Sequence, residues 1–334
     1  MLRYMTIHPD RAMLPKSGTA LGAGLALPTL IATAGPRAQK RFLEFFTATI
    51  RNPNTRMAYA RAVGQFLRWC ERRGIHELDS IEPILVAAYV EQRQETLAKP
   101  SVKQHLAAIR MLFDWLVTGH IMFVNPAHSV RGPKHVIKRG STPVLTVEET
   151  RALIHLINVD NIVGLRDRAL IGVMVYSFAR VGAVIGMRVK DYYPQGKRWW
   201  FRLHEKGGKR HDVPAHHKAE QYMDAYISAA GIADDKNGPL FRTTRGKTRQ
   251  LTRSPMTRVD VFRMIKRRAQ DAGLSSTAVC CHTFRATGIT AYLENGGTLE
   301  HAQQIEAHES PRTTKLYDRT TDQISLDEIE RIAI

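Results

Sequence analysis

The chain has 334 residues, enough for two domains that each bury a core, and its 43% hydrophobic and 24% charged residues exclude both a disordered chain and a polytopic membrane protein. Forty-nine Lys and Arg against 31 Asp and Glu leave a formal charge of +18, so a polyanionic partner is expected, nucleic acid first. Cys70, Cys280 and Cys281 form no C-x-x-C pair and no disulfide framework, which points to a reducing cytoplasm.

Residues 1–36 read as a flexible tail. Ser17 to Pro36 is uncharged and follows Arg3, Arg11 and Lys16, as an export signal would, but four glycines and Pro28 break the apolar run. Residues 37–130 read as a helical domain. Asn52-Pro53-Asn54-Thr55 supplies turn and N-cap chemistry, and Gly74 supplies a stop. Between them Tyr59, Val63, Phe66, Leu67 and Cys70 fall at helical spacing, and a second stripe runs through Val102, Leu106, Ile109, Phe113 and Leu116 to Gly119. The other faces carry Arg56, Arg61, Arg68, Arg72, Lys103 and Arg110, a basic surface suited to phosphates.

Residues 131–143, rich in Pro, Gly and basic side chains including Lys134, read as a linker. Thr146-Val-Glu-Glu149 opens the second domain, 144–334, with a capping box. Leu165 to Phe178 is too apolar for an exposed helix. Arg198 to His204, Gly207-Gly208 and Arg210 to Val213 form the one clear strand–turn–strand signal, and the remainder reads as helical. Within it, Arg242 to Arg268 holds ten basic residues and one acid, Asp260, so Arg245, Lys247 and Arg249 join Lys209 as expected DNA contacts. Ser325-Leu-Asp-Glu328 fits a further capping box, with Leu326, Ile329 and Ile332 as the apolar stripe of a terminal helix, 325–334.

The polar residues of the second domain are informative in order. Ala179-Arg180-Val-Gly follows the apolar helix, Glu205-Lys206-Gly-Gly-Lys209 spans the hairpin tip, His282-Thr-Phe-Arg285 is an H-x-x-R box, and His308 and Tyr317 follow nine residues apart. With Asn52 to Tyr59, Phe66 to Gly74 and Phe113 to Gly119 in the first domain, this order resembles the tyrosine recombinase (phage integrase, Xer-like) family from about residue 40 to 320. Two positions depart from that pattern: Ala183 stands where an acid usually follows the first arginine, and Ala307 replaces the glycine that often precedes the second histidine.

The resemblance implies a mainly α fold with a small β-sheet: an N-terminal helical core-binding (SAM-like) domain and a C-terminal mixed α/β catalytic domain. It implies a site-specific recombinase that cuts and rejoins double-stranded DNA through a 3′-phosphotyrosine, with no metal or cofactor and no membrane. Tyr317 is then the nucleophile, and Arg180 and Arg285 neutralise the non-bridging oxygens of the transition state. His282 takes the tyrosine proton, Lys206 (with Lys209 on the same hairpin as its competitor) protonates the leaving 5′ oxygen, and His308 hydrogen-bonds the phosphate. A tetramer on paired sites, exchanging its C-terminal helix between protomers, belongs to the same expectation, with docking of that helix on its own domain as the alternative; so does room for an accessory recombinase or DNA-bending protein. The rival is a non-catalytic relative that binds DNA as an architectural factor or repressor, which has no use for a tyrosine at this spacing. A metal-dependent nuclease would want clustered carboxylates, and the sequence offers no convincing acidic triad.

Overall fold

In the computed structural model, which describes residues 27–136, 140–205, 208–246, 248–275, 278–306 and 314–316, the chain divides into two units, residues 1–136 and 137–334. The division falls within the 131–143 segment.

The first unit is helical: α1 (Thr29–Thr33), α2 (Gly35–Glu44), α3 (Pro53–Glu71), α4 (Pro83–Thr96) and α5 (Lys99–Thr118). Asn52 caps α3 by accepting from the backbone N–H groups of Asn54 (2.9 Å) and Thr55 (3.3 Å). Beyond the helix end Gly74 takes a φ of +75°, which a side chain would resist. Val63, Phe66, Leu67 and Cys70 of α3 are buried with Val102, Leu106, Ile109, Phe113 and Leu116 of α5, while Tyr59 is half-buried at the edge. Phe66 meets Phe113 edge-on at 6.1 Å. Burial pushes the Cys70 thiol up to about 12, so it packs as an apolar group.

The expected tail is shorter than 1–36. Leu30 and Ile31 of α1 are 1% and 0% exposed in the core of this unit, and the Leu30 N–H donates to the Glu71 carboxylate at 3.1 Å. The apolar pair has a place to dock, so helix begins at Thr29; the glycine-rich part of the segment, up to residue 26, lies outside the described residues.

The second unit orders α6 (Val147–His155), α7 (Ile162–Tyr176), α8 (Val181–Ile185), β1 (Tyr192–Gln195), β2 (Arg198–His204), β3 (Arg210–Pro214), α9 (His217–Ala230), β4 (Arg242–Thr244), β5 (Leu251–Pro255), α10 (Arg258–Asp271), α11 (Cys281–Glu294) and α12 (Leu299–Glu306). Thr146 and Glu149 form the reciprocal capping box of α6. Helix α7 is buried nearly all round and packs against α9 and α11. The antiparallel sheet β1-β2-β3 turns Phe201, Leu203 and Val213 inward and pairs Arg202 with Asp212.

Strand content exceeds the sequence expectation. Beside β1, the segment read as helical holds the hairpin β4–β5, whose ladder runs from Arg242↔Pro255 to Thr244↔Leu251. Its strands are short, basic and Thr/Ser-rich, so no apolar alternation announces them.

Candidate active site

The site begins where α7 ends. Phe178 takes a φ of +53°, a left-handed backbone that costs an aromatic residue energy and turns the chain sharply toward Arg180. The backbone of α11 presses against this turn: a Cβ at Gly288 would collide with the Val175 carbonyl and the Phe178 ring. One turn earlier on α11, Arg285 is 1% exposed. Its Nη1 donates to the Phe178 carbonyl. Its Nη2 donates to the Glu306 carbonyl at 3.2 Å and lies 3.6 Å from the Glu306 carboxylate. A guanidinium held on two sides cannot wander, which is what a charge-stabilising group requires.

Arg180 occupies the N-cap position of α8 and is one-third exposed. Its Nη1 donates to Glu205 Oε2 at 2.5 Å. His282 lies in the first turn of α11, with its side chain only partly open to solvent. Desolvation by its surroundings, then the positive charges of Arg285 and Arg180, hold its imidazole below the ordinary histidine value of 6.5. Both cations therefore act on one neutral ring, and an imidazole kept neutral near pH 7 is competent to accept a proton.

Lys206, His308 and Tyr317 lie outside the described residues, but their sequence neighbours are informative. Glu205 pairs with Arg180. Thr314 is buried and its hydroxyl donates to the Glu306 carboxylate at 3.3 Å, beside Arg285. His211 of β3 hydrogen-bonds the Ile305 carbonyl at 3.0 Å, joining the hairpin to the end of α12. Sequence reasoning missed Glu205 and Glu306 as arginine partners and Gly288 as a contact point. Among the described residues, no group of three or more His, Cys, Asp or Glu side chains is spaced to share a metal ion.

The expected DNA contacts separate into two sets. Arg61 and Arg68 on α3, Lys103 on α5, and Lys134, Lys209, Arg245 and Arg249 are exposed, the last two flanking the tip of the β4–β5 hairpin. Lys247 lies outside the described residues. Arg56 and Arg110 are instead half-buried and committed to their own backbone. Arg56 donates from Nε and Nη2 to the Ile50 carbonyl, at 3.1 and 2.9 Å. Arg110 donates to the carbonyls of Ala127, at 3.0 Å, and Val130. Each fastens an irregular segment whose carbonyls lack helix partners, and that corrects their place among the free phosphate ligands.

Two arginines and a neutral imidazole on a basic α/β scaffold, in a chain that also carries a basic helical unit, define the class: an enzyme of phosphoryl transfer on DNA. The chain belongs to the phage integrase family of tyrosine recombinases, whose model matches residues 143–323, with the phage integrase N-terminal SAM-like domain matching residues 40–120. Its activity is site-specific DNA recombination.

Among curated relatives, tyrosine recombinase XerC of Pelobacter propionicus is 27% identical over 299 residues, 88% of this chain and 93% of that protein. Tyrosine recombinase XerD of Chlorobaculum tepidum is 25% identical over 272 residues, 79% and 85% of the two chains. The XerH recombinase in a pre-cleavage complex with its difH substrate shares the fold at a TM-score of 0.65 and 20% identity, covering 83% of this chain and 79% of that one. A lambda integrase dimer bound to a core site matches with a TM-score of 0.65 and 18% identity, over 86% and 98% of the chains. Among the described residues no helix is long and apolar enough to cross a membrane.

Proposed function

We propose that Tyr317 attacks a DNA phosphodiester to form a 3′-phosphotyrosine and that the same site then reseals the strand to a new 5′ hydroxyl. Arg180 and Arg285 neutralise the non-bridging oxygens, His282 receives the tyrosine proton, Lys206 supplies a proton to the leaving 5′ oxygen, and His308 braces the phosphate. The observation that carries this reading is the confluence of Arg285, Arg180 and His282, with Thr314 fastened to Arg285's own partner three residues before Tyr317. Because the bond energy is kept as a phosphotyrosine, the reaction needs neither nucleotide nor metal.

Exposed cations of the two units, among them Arg61, Arg68, Lys103, Lys209, Arg245 and Arg249, hold the duplex. The active assembly is a tetramer on paired sites, and its setting is the cytoplasmic mobilisation or resolution of DNA. A cleft of about 770 Å³ in the second unit, lined by Val147, Ile154, Tyr176, Tyr222, Ala291 and Tyr292 among others, supports helix exchange. It suits the apolar stripe of the 325–334 segment, which also lies outside the described residues.

A nicked suicide substrate incubated in EDTA tests the chemistry. The intact chain should form a covalent protein–DNA adduct, and Tyr317→Phe should bind the same DNA yet form none. Absence of adduct from the intact chain on any family-type site would favour the purely DNA-binding alternative.

A further inference from the structure

Arg180 stands at the start of α8, whose five residues, Val181 to Ile185, include no acid. Ala183, one turn on, is buried as a bare methyl. The helix that presents this arginine therefore has nothing of its own to hold it. The holding group comes from the β2–β3 connection: Glu205, its side chain 4% exposed, meets Arg180 Nη1 at 2.5 Å. A carboxylate that far from water is costly unless its cation stays in place, so the pair resists opening. Arginine has five N–H donors, and the pair uses the Nη1 end alone. Arg180 makes no other hydrogen bond among the described residues, which leaves Nε and Nη2 for a ligand.

Glu205 is also fixed from behind. Its N–H donates to the Lys209 carbonyl at 2.8 Å, and its own carbonyl accepts from Gly208 N–H at 3.2 Å. The residue that closes the hairpin loop is thus the residue that reaches across to α8.

We propose that Glu205 is the positioning residue for Arg180: its carboxylate, delivered by the hairpin, sets the angle at which the guanidinium meets the scissile phosphate. This rests on the recombinase reading above, and it assigns Glu205 no contact with the DNA. Removing the charge while keeping the shape should leave Arg180 present but free to turn, a loss that appears in the chemical step and not in binding.

The test is single-turnover adduct formation on a nicked suicide substrate at saturating DNA, with half-site affinity and melting temperature measured in parallel. Glu205→Gln should slow adduct formation by at least about tenfold, with half-site affinity within about twofold of the intact chain. The decisive readout is a double-mutant cycle with Arg180→Ala. If Glu205 acts through Arg180, adding Glu205→Gln to Arg180→Ala should change the residual rate by less than about twofold. Full additivity of the two losses, or a single variant within about threefold of the intact chain, overturns the proposal. Should the glutamine variant lose its melting transition, Glu205→Asp is carried through the same cycle and judged by the same limits. An intact chain that forms no adduct defeats the recombinase reading itself, whereas an active chain indifferent to Glu205→Gln defeats only this assignment.

Discussion

Phe178 offers its carbonyl to Arg285 from a left-handed backbone. The buried guanidinium and the strained turn hold each other: the turn supplies the acceptor, and the hydrogen bond contributes to keeping an unfavourable φ in place. Arg180 follows two residues after Phe178, so both arginines are aimed by one corner of the chain.

Gly288 is the point at which that corner is most sensitive. Gly288→Ala places a methyl against the Val175 carbonyl and the Phe178 ring. Overpacking of this kind should cost about 1–3 kcal/mol in denaturant unfolding. Because α11 also carries Arg285 and His282, cleavage should fall by more than about tenfold while DNA affinity is retained. Wild-type cleavage in the alanine variant would show that the corner gives way freely.

If His282 receives the tyrosine proton as proposed, the pH dependence of cleavage follows from it. Its imidazole sits below the ordinary 6.5 because protonation is opposed by desolvation and by Arg285 and Arg180. The base is free above its folded value and protonated below it, so single-turnover cleavage should hold as pH falls to 6.5 and decline only beneath it. His282→Gln should slow the reaction and erase that acid limb. An acid limb centred above 6.5 would contradict the electrostatics of the site. Folding carries the same sign: the unfolded chain binds this proton more readily, so His282 draws stability down as pH falls through the ordinary value toward the folded one.

Asp167 is 0% exposed and anchors a charged cluster. Arg166 and Arg268 reach its carboxylate at 2.7 and 2.8 Å, and Arg267 lies at 3.5 Å. Asp167→Ala would leave buried guanidinium uncompensated, so unfolding should be easier by about 3–5 kcal/mol, measured in urea. Asp167→Asn keeps the volume but only one of the two acceptor oxygens, so it should lose part of that stability. Equal stability of all three proteins would mean that water replaces the carboxylate without cost.

Lys103 and Arg110 lie on the same helix and should behave differently. Lys103 is exposed, whereas Arg110 straps the carbonyls of Ala127 and Val130. Lys103→Ala should lower the salt dependence of DNA binding by about 0.9 in log–log slope, one phosphate's worth, without changing stability. Arg110→Ala should keep the slope and weaken folding of the first unit by about 1–3 kcal/mol, the cost of orphaned carbonyls. A slope change from Arg110→Ala would return that residue to the DNA surface.

What was legible in the sequence was periodic or local. The stripes of α3 and α5, the caps at Asn52 and Thr146, and the H-x-x-R spacing are properties of neighbours along the chain, and each appears in the fold. Pairings made by the fold were not legible. Glu205 meets Arg180 across 25 positions and Arg285 meets Glu306 across 21, and nothing local marks either acid as a partner. Arg110 looks like any cation on a polar face until the 121–130 segment folds back over it. The β4–β5 hairpin is hidden for another reason: its strands are short and their side chains polar, so no apolar alternation marks them.

Helix α7 has a mechanical meaning. At its start Arg166 holds the Arg242 carbonyl of β4 at 2.8 Å, while Asp167 holds α10 through Arg268. Beyond its far end stand Phe178 and Arg180. From Arg166 to Tyr176 the helix makes a rod about 15 Å long. The interval between the basic hairpin and Arg180 is therefore gauged by a rigid ruler. On the proposed reading, a duplex seated on the hairpin would find its scissile bond by distance as well as by charge. One alanine inserted in the middle of α7 would turn the two ends by about 100° relative to each other. Because α7 is buried nearly all round, that turn would also throw half of it out of register with the core of its unit, so folding should be lost together with cleavage.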